Sequence, residues 1–268
     1  DGVLLIAGAC YLTQMWLNMR DGIRLTGQDS QARVVKILGR EMVADDTLAM
    51  HLAKPAGFTF EPGHAIRLTI PAGAQQGAGE ARILSIASAP HEADITVITR
   101  LRDDSSFKQA LKLMPEGAEL QIAGPLGSFT KDDDGEQPTV FLAGGIGITP
   151  FLSMVRDASH AGQLAKITLF YSNRSPDDAA MLKELQDLSA ADKGFQLVAT
   201  MSDVNDNSEW QGETGRIDAE MLQRHLADLP APIYYCVGPG AFVSGMRDML
   251  ANSGVVKDDI RFEQFGGY

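Results

Sequence analysis

The sequence predicts a two-domain chain, an antiparallel β-barrel followed by an α/β domain built on a parallel sheet, and three observations carry that prediction. Short extended runs separated by Pro/Gly turns fill positions 33 to 122, an acidic stretch follows, and after it strands and helices alternate. With 268 residues and 44% hydrophobic content the chain holds enough apolar material for two cores. The expected division is an apolar N-terminal segment over 1–30, the barrel over 31–132 and the α/β domain over 133–268.

In the first half the predicted strands are Val34–Leu38, Leu48–Leu52, His64–Ile70, Ala81–Ile86, Ile95–Leu101 and Glu119–Ile122. Turns at Pro55-Ala-Gly57, Glu61-Pro-Gly63, Pro71-Ala-Gly73, Pro115-Glu-Gly117 and Gly124-Pro-Leu-Gly127 separate them, and one helix, Ser106–Leu113, interrupts the series. Lys131-Asp-Asp-Asp-Gly-Glu136 is a solvated linker by composition. Beyond it, strands at Val140–Ala143, Ile167–Tyr171, Phe195–Met201, Ile233–Val237 and Ile260–Phe265 alternate with helices near 150–161, 177–188, 218–226 and 241–251. That is a βαβ rhythm, which requires parallel strands and right-handed crossovers.

Composition excludes several functions. A net charge of -12 opposes nucleic-acid binding, because a polyanion would be repelled overall. Two cysteines, Cys10 and Cys236, cannot assemble an iron–sulfur cluster or a cysteine zinc site within one chain, and a reducing compartment is the default. His51, His64, His91, His160 and His225 lack ligand spacing, so no metal is expected. Residues Gly2 to Met19 carry no charge, and Arg20, Arg24, Arg33, Lys36 and Arg40 follow them. This pattern fits either the end of a membrane helix with its cytoplasmic flank or a packing helix, so the expected location is cytoplasmic or the cytoplasmic face of a membrane.

The richest motif is Val140-Phe-Leu-Ala-Gly-Gly-Ile-Gly-Ile-Thr-Pro-Phe151, a buried strand, a glycine turn and a helix start in succession. Gly144, Gly145 and Gly147 permit a sharp turn and close approach of backbone to a ligand. Thr149 is the expected N-cap and Pro150 the expected first helical residue, leaving aligned N–H groups for a dinucleotide pyrophosphate. A tight turn without a ligand explains the same residues. In the barrel half, Arg82-Ile-Leu-Ser-Ile-Ala-Ser88 is a strand on which Arg82 and Leu84 share a face, a guanidinium suited to phosphate beside an apolar side chain. A solvated arginine is the bland alternative.

Together, Arg-x-x-Ser-x-x-Ser and the later Gly-Gly-x-Gly-x-x-Pro resemble the ferredoxin–NADP reductase family. Phe60-Glu-Pro-Gly63, Gly124-Pro-Leu-Gly-Ser-Phe129, Tyr171-Ser-Asn-Arg174, Trp210-Gln-Gly-Glu-Thr-Gly-Arg-Ile217, Gly238-Pro239 and Phe262-Glu-Gln-Phe-Gly-Gly-Tyr268 extend the resemblance over about residues 31 to 268. It implies an FAD-binding barrel and an NAD(P)-binding domain, with flavin and nicotinamide meeting between them. Arg82 would hold the FAD pyrophosphate, Ser85 would hydrogen-bond near flavin N5, and Ser88 would support the following loop. Ile98, Thr99 and Arg100 would flank the ribityl and phosphate region, with Ser105 and Ser106 as further donors to the pyrophosphate. Gly144, Gly145, Gly147, Thr149, Pro150, Gly238 and Pro239 would receive the nicotinamide dinucleotide, and Ser172 and Arg174 its adenosine end. Glu263 would be a polar partner near the nicotinamide, and Phe265 and Tyr268 belong to the terminal motif, where Tyr268 would cover the flavin or end the chain unattached. Ser85 and Glu263 are the expected catalytic pair.

Two positions depart from the family pattern. Leu84 stands where relatives stack an aromatic ring, keeping apolar contact but giving up stacking. Val237 stands where many relatives carry cysteine, and Cys236, one residue earlier, faces the other side of its strand as a small core residue. Arg174 leans the coenzyme toward NADPH, although Ser-Asn-Arg also resembles NADH-using relatives. The implied activity is an FAD-dependent reductase that takes hydride from NADPH or NADH and passes electrons to a partner protein, haem or membrane redox domain. A free flavin or ferric reductase, an NAD(P)H oxidase and a non-catalytic nucleotide-sensing module are the alternatives.

Overall fold

The computed structural model describes residues 32–73, 79–131, 137–164, 166–204, 209–227 and 229–265. The N-terminal apolar segment, most of the acidic linker and Tyr268 lie outside the described residues. The first six strands are β1 (Arg33–Ala44), β2 (Thr47–Ala53), β3 (Ala65–Thr69), β4 (Ala81–Ser85), β5 (Asp94–Arg100) and β6 (Glu119–Leu126), with helix α1 (Ser106–Leu113) between the last two. They pair antiparallel in the order β4-β3-β6-β1-β2-β5. The two edges meet through the Ile86–Val97 bridge, where the Ala87 amide donates to the Thr96 carbonyl at 2.8 Å, so the sheet closes on itself. Alternation along β5 sends Ile95 and Val97 into the barrel core with Leu52, Ile66, Leu68 and Phe107.

The second sheet is β7 (Thr139–Gly144), β8 (Ile167–Asn173), β9 (Phe195–Met201), β10 (Glu213–Thr214), β11 (Ile233–Pro239) and β12 (Ile260–Phe265). All neighbours are parallel, in the order β10-β9-β8-β7-β11-β12, so the strand order reverses between β7 and β11. Helices α2 (Ile148–His160) and α3 (Leu182–Ala191) cover one face, and α4 (Ala219–Leu226) and α5 (Gly240–Asn252) the other. The continuous apolar run of β7 follows from burial on both sides: Phe141 and Ala143 join the α2 side, Val140 and Leu142 the α5 side. Cys236 packs with the latter pair and Val237 with the former, as their alternation requires, and burial pushes the Cys236 thiol up to about 12.

The two sheets share one apolar cluster. Ala49, Ala87 and Ile98 of the barrel pack with Phe141, Phe151 and Met154 against the α2 side of the parallel sheet. The Ser153 hydroxyl on α2 donates to the Ser88 carbonyl at 2.7 Å, and Arg156 donates to the Ala87 carbonyl at 3.1 Å while forking onto Glu184 of α3 at 2.6 and 2.7 Å. A second contact joins the Asp45 amide to the Asp177 carbonyl at 2.8 Å.

Two sequence expectations need correction. The helix after the glycine turn begins earlier than Pro150: a 3-10 turn over Gly145–Gly147 runs directly into α2 at Ile148. Thr149 is therefore no N-cap. Its hydroxyl donates to the Ile146 carbonyl at 3.1 Å, and Pro150 sits inside the first turn, where its missing N–H still costs nothing. The helix expected over 177–188 is split into a 3-10 turn at Pro176–Asp178 and α3 from Leu182, because Met181 adopts a left-handed φ of 58°. The two-residue strand β10 carries no periodicity and was invisible in the sequence.

The glycines of the turn differ in role. A Cβ on Gly147 would lie 2.3 Å from the Val237 carbonyl oxygen, whereas Gly145, with φ at +54°, faces open space. Gly147→Ala must push α2 away from β11, and we expect a loss of about 1–3 kcal/mol of stability, read as a lowered urea midpoint at unchanged m value.

Candidate cofactor and coenzyme site

β4 delivers its residues to the mouth of the barrel. Arg82 lies half-exposed with its guanidinium 5.2 Å above the Phe107 ring, the first aromatic of α1. It donates to Glu80 Oε2 at 3.0 Å, and the Ser106 hydroxyl donates to Glu80 Oε1. Ser105 is the N-cap of α1, accepting the Lys108 amide at 3.4 Å. Arg82, Ser105 and Ser106 thus converge at one helix N-terminus, and a carboxylate already bridges two of their donors. An anion with two oxygens fits this donor set, which is what a pyrophosphate offers.

The remaining barrel residues divide between cofactor side and scaffold. Leu84 packs on the barrel core one pleat from Arg82, on the face expected of it, and Ser85 is buried at the end of β4. The Ser88 hydroxyl accepts the Thr96 amide at 2.9 Å, and with its carbonyl on Ser153 this fully buried serine is committed to holding the interface. Ile98 turns into the shared interdomain cluster, and Thr99 is buried beside it. Arg100 reaches out of the barrel to Asp178 Oδ1 at 2.7 Å.

The other half of the site lies at the carboxyl ends of the parallel strands, on both sides of the order reversal, where doubly wound sheets bind ligands. Register places Gly144 beside Ser172, and Ser172 beside Thr200; on the other side Val237 faces Glu263 and Pro239 faces Phe265. Phe242 occupies the space a Cβ would need on Gly144 and on Gly238, at 2.8 Å from each, so these two glycines serve packing of α5 against the crevice. The open approach is at Gly145. Arg174 leaves the end of β8 for solvent and donates to Asp178 Oδ1 at 3.0 Å.

Two buried polar atoms among the described residues lack partners, Asn173 Nδ2 and Glu263 Oε2, and both belong to carboxyl-end segments of this sheet. Burial pushes the Glu263 carboxyl up to about 7. No group of three or more His, Cys, Asp or Glu side chains able to hold a metal occurs among the described residues. Sequence reasoning missed Glu80, Ser153, Arg156, Asp178 and Phe242; the local Glu80–Arg82 and Arg174–Asp178 spacings were signals that could have found two of them, whereas the bonds to Ser106, Arg100, Ser88 and Glu184 join segments far apart in the chain.

Comparison with known proteins agrees with this geometry. The family described as "Oxidoreductase NAD-binding domain" matches residues 141–248. Ferredoxin–NADP reductase B of Sorangium cellulosum is 30% identical over 227 residues, covering 81% of this chain and 90% of that protein. The chain belongs to the ferredoxin–NADP reductase family. It is therefore an NAD(P)H-dependent flavoprotein oxidoreductase with FAD and NAD(P) as cofactors. It is also 29% identical over 247 residues to the reductase component of a propane 2-monooxygenase from Rhodococcus jostii, covering 89% of this chain and spanning 64% of that component's length. A ferredoxin–NADP+ reductase from Neisseria gonorrhoeae, solved with bound FAD and NADP, shares the fold at a TM-score of 0.76 and 18% identity, covering 88% of this chain and 99% of that one.

Glu263 gives a pH signature. A carboxyl whose folded value is raised binds its proton more tightly in the folded state than in the unfolded one, so stability falls as pH rises from the ordinary glutamate range through 7. We expect Glu263→Gln to flatten that decline, seen as a smaller difference between urea midpoints at pH 5.5 and pH 8 than in the unchanged protein. Equal slopes in the two proteins would place the buried charge elsewhere.

Proposed function

We propose that this chain takes hydride from NAD(P)H onto FAD held by the barrel and passes electrons to a separate redox partner, a protein or a haem. The observation that carries the reading is the short path from Arg82 to Ser88. One strand end supplies the anion-holding arginine and the buried Ser85, then docks through the Ser88 carbonyl on α2, the helix that opens at the glycine turn. The anion site of the barrel and the coenzyme crevice are thereby fixed on either side of one buried contact.

In this reading FAD supplies the hydride and electron chemistry, and the protein supplies position. Arg82 and Ser106 exchange Glu80 for the pyrophosphate, with Ser105 alongside, and Thr99 lies buried on β5. Leu84 offers an apolar surface in place of a stacked ring. Ser85 presents a hydroxyl where the reacting end of the flavin would lie, Gly145 admits the coenzyme phosphates, and Glu263, raised by burial to about 7, offers in its protonated form a neutral donor beside the nicotinamide. The reductase components among the relatives support a protein acceptor. A cytoplasmic setting, where reduced coenzyme is held, goes with this reading.

Anaerobic mixing of the FAD-loaded protein with NADH or NADPH tests it: bound flavin should bleach with at least one coenzyme, and a flavin left oxidised by both would return the chain to a binding role. The FAD should also stay bound through desalting, which separates this reading from that of a free-flavin reductase. Arg82→Ala removes charge-assisted bonds worth about 1.5–3 kcal/mol, so FAD affinity should drop about 10- to 100-fold by fluorescence titration, with the fold unchanged by circular dichroism.

A further inference from the structure

Asp178 stands between the two halves of the site. Its Oδ1 accepts from Arg100 Nη2 of the barrel at 2.7 Å and from Arg174 Nη2 at 3.0 Å, and its Oδ2 accepts from the Ser175 hydroxyl at 3.1 Å. Its side chain is 10% exposed, whereas that of Arg174 is 66% exposed. Burial alone would raise the Asp178 carboxyl, but the bonds from Arg174, Arg100 and Ser175 outweigh it and hold the group below the usual carboxylate range. The carboxylate is thus a fixed charge at neutral pH.

Arg174 is the cation that the sequence offers to a 2′-phosphate, and its Nη2 already donates to Asp178. Further acid surrounds it. Asp177 is exposed in the same turn, and the Asp203 amide donates to the Arg174 carbonyl at 2.8 Å, bringing a second carboxylate within range of the guanidinium. Two carboxylates, Asp178 and Asp203, therefore act on Arg174, and the first of them also holds Arg100. A ribose 2′-phosphate carries about -1.5 to -2 at neutral pH and would have to pull Arg174 from Asp178, leaving that largely buried carboxylate beside a new anion. A 2′-hydroxyl brings no charge and can donate to a carboxylate at the end of the strand after the glycine turn.

Resting on the coenzyme site proposed above, we propose that Asp178 is the specificity-determining residue of this chain: by holding Arg174 it makes the coenzyme NADH and disfavours NADPH. This reverses the lean that Arg174 gives to the bare sequence. The acid acts as a repulsive element against the phosphorylated ligand, and it leaves the rest of the dinucleotide contact unchanged.

Equilibrium titration of the FAD-loaded protein with ADP-ribose and with 2′-phospho-ADP-ribose reads this without turnover. The unchanged protein should bind ADP-ribose about tenfold more tightly, the scale of one charge-assisted hydrogen bond, and kcat/KM should favour NADH in the same direction. Asp178→Asn keeps an acceptor for both arginines and removes the charge, so it should tighten the phosphorylated ligand about tenfold and leave ADP-ribose within about twofold. Asp203→Asn, an exposed change that should leave folding intact if Asp178→Asn does not, should tighten the phosphorylated ligand about twofold. Preference of the unchanged protein for the phosphorylated ligand, or an equal loss of both ligands in Asp178→Asn, would overturn the assignment. Failure of both ligands to bind and of both coenzymes to bleach the flavin would instead overturn the proposed function itself.

Discussion

The docking of the barrel's outer wall, where β2 pairs with β5 and the sheet closes, onto helix α2 is the contact on which the rest of the molecule depends. Neither half completes the site alone. The barrel holds its anion donors at the mouth near α1, and the parallel sheet holds its glycine turn where the strand order reverses between β7 and β11. What brings these into register is a small set of buried groups: Ala49, Ala87 and Ile98 in the shared cluster, the Ser153 bond to the Ser88 carbonyl, and the Arg156 fork. Small side chains suit that seam, because they let β2 and the end of β4 approach the helix closely. The polar bonds within it are satisfied by carbonyls that the barrel closure leaves facing outward.

Two acids in this protein each bridge a pair of donors from separate segments. Glu80 spans Arg82 and Ser106, and Asp178 spans Arg100 and Arg174. Each keeps a cationic site neutralised, which lowers the cost of leaving guanidinium groups close together at the surface. The two differ in depth. Glu80 and Arg82 lie toward solvent, where an exposed pair contributes little. Asp178 is nearly enclosed and grips two cations from opposite domains, so displacing it costs more.

The buried side-chain polar atoms without partners among the described residues both lie on the parallel sheet. Asn173 Nδ2 and Glu263 Oε2 are costly to leave unmatched, and the packed clusters on either face of the sheet compensate that cost. Phe242 shows how tightly the crevice wall is built, its ring occupying the positions that side chains on Gly144 and Gly238 would need. The glycine turn is therefore less an open cradle than a packed joint with one exposed residue, Gly145.

The sequence by itself determined the two-sheet architecture, since turn spacing in the first half and βαβ alternation in the second are local patterns, and it placed Ser106–Leu113, Phe195–Met201 and Ile260–Phe265 at their observed bounds. It also singled out Arg82, the Ser85 to Ser88 run and the glycine turn, because these are contiguous motifs. Only the tertiary structure decided how those residues are used. Thr149 lost its capping role because the chain is already helical from Gly145, Ile98 and Ser88 became interface residues, and Arg174 was claimed by an acid four residues away that also holds Arg100 from the other domain. Local patterns fix which elements form; the long-range partner of a buried charge, as Arg100 is for Asp178, is fixed by which elements meet, and that lies outside any single stretch of the chain.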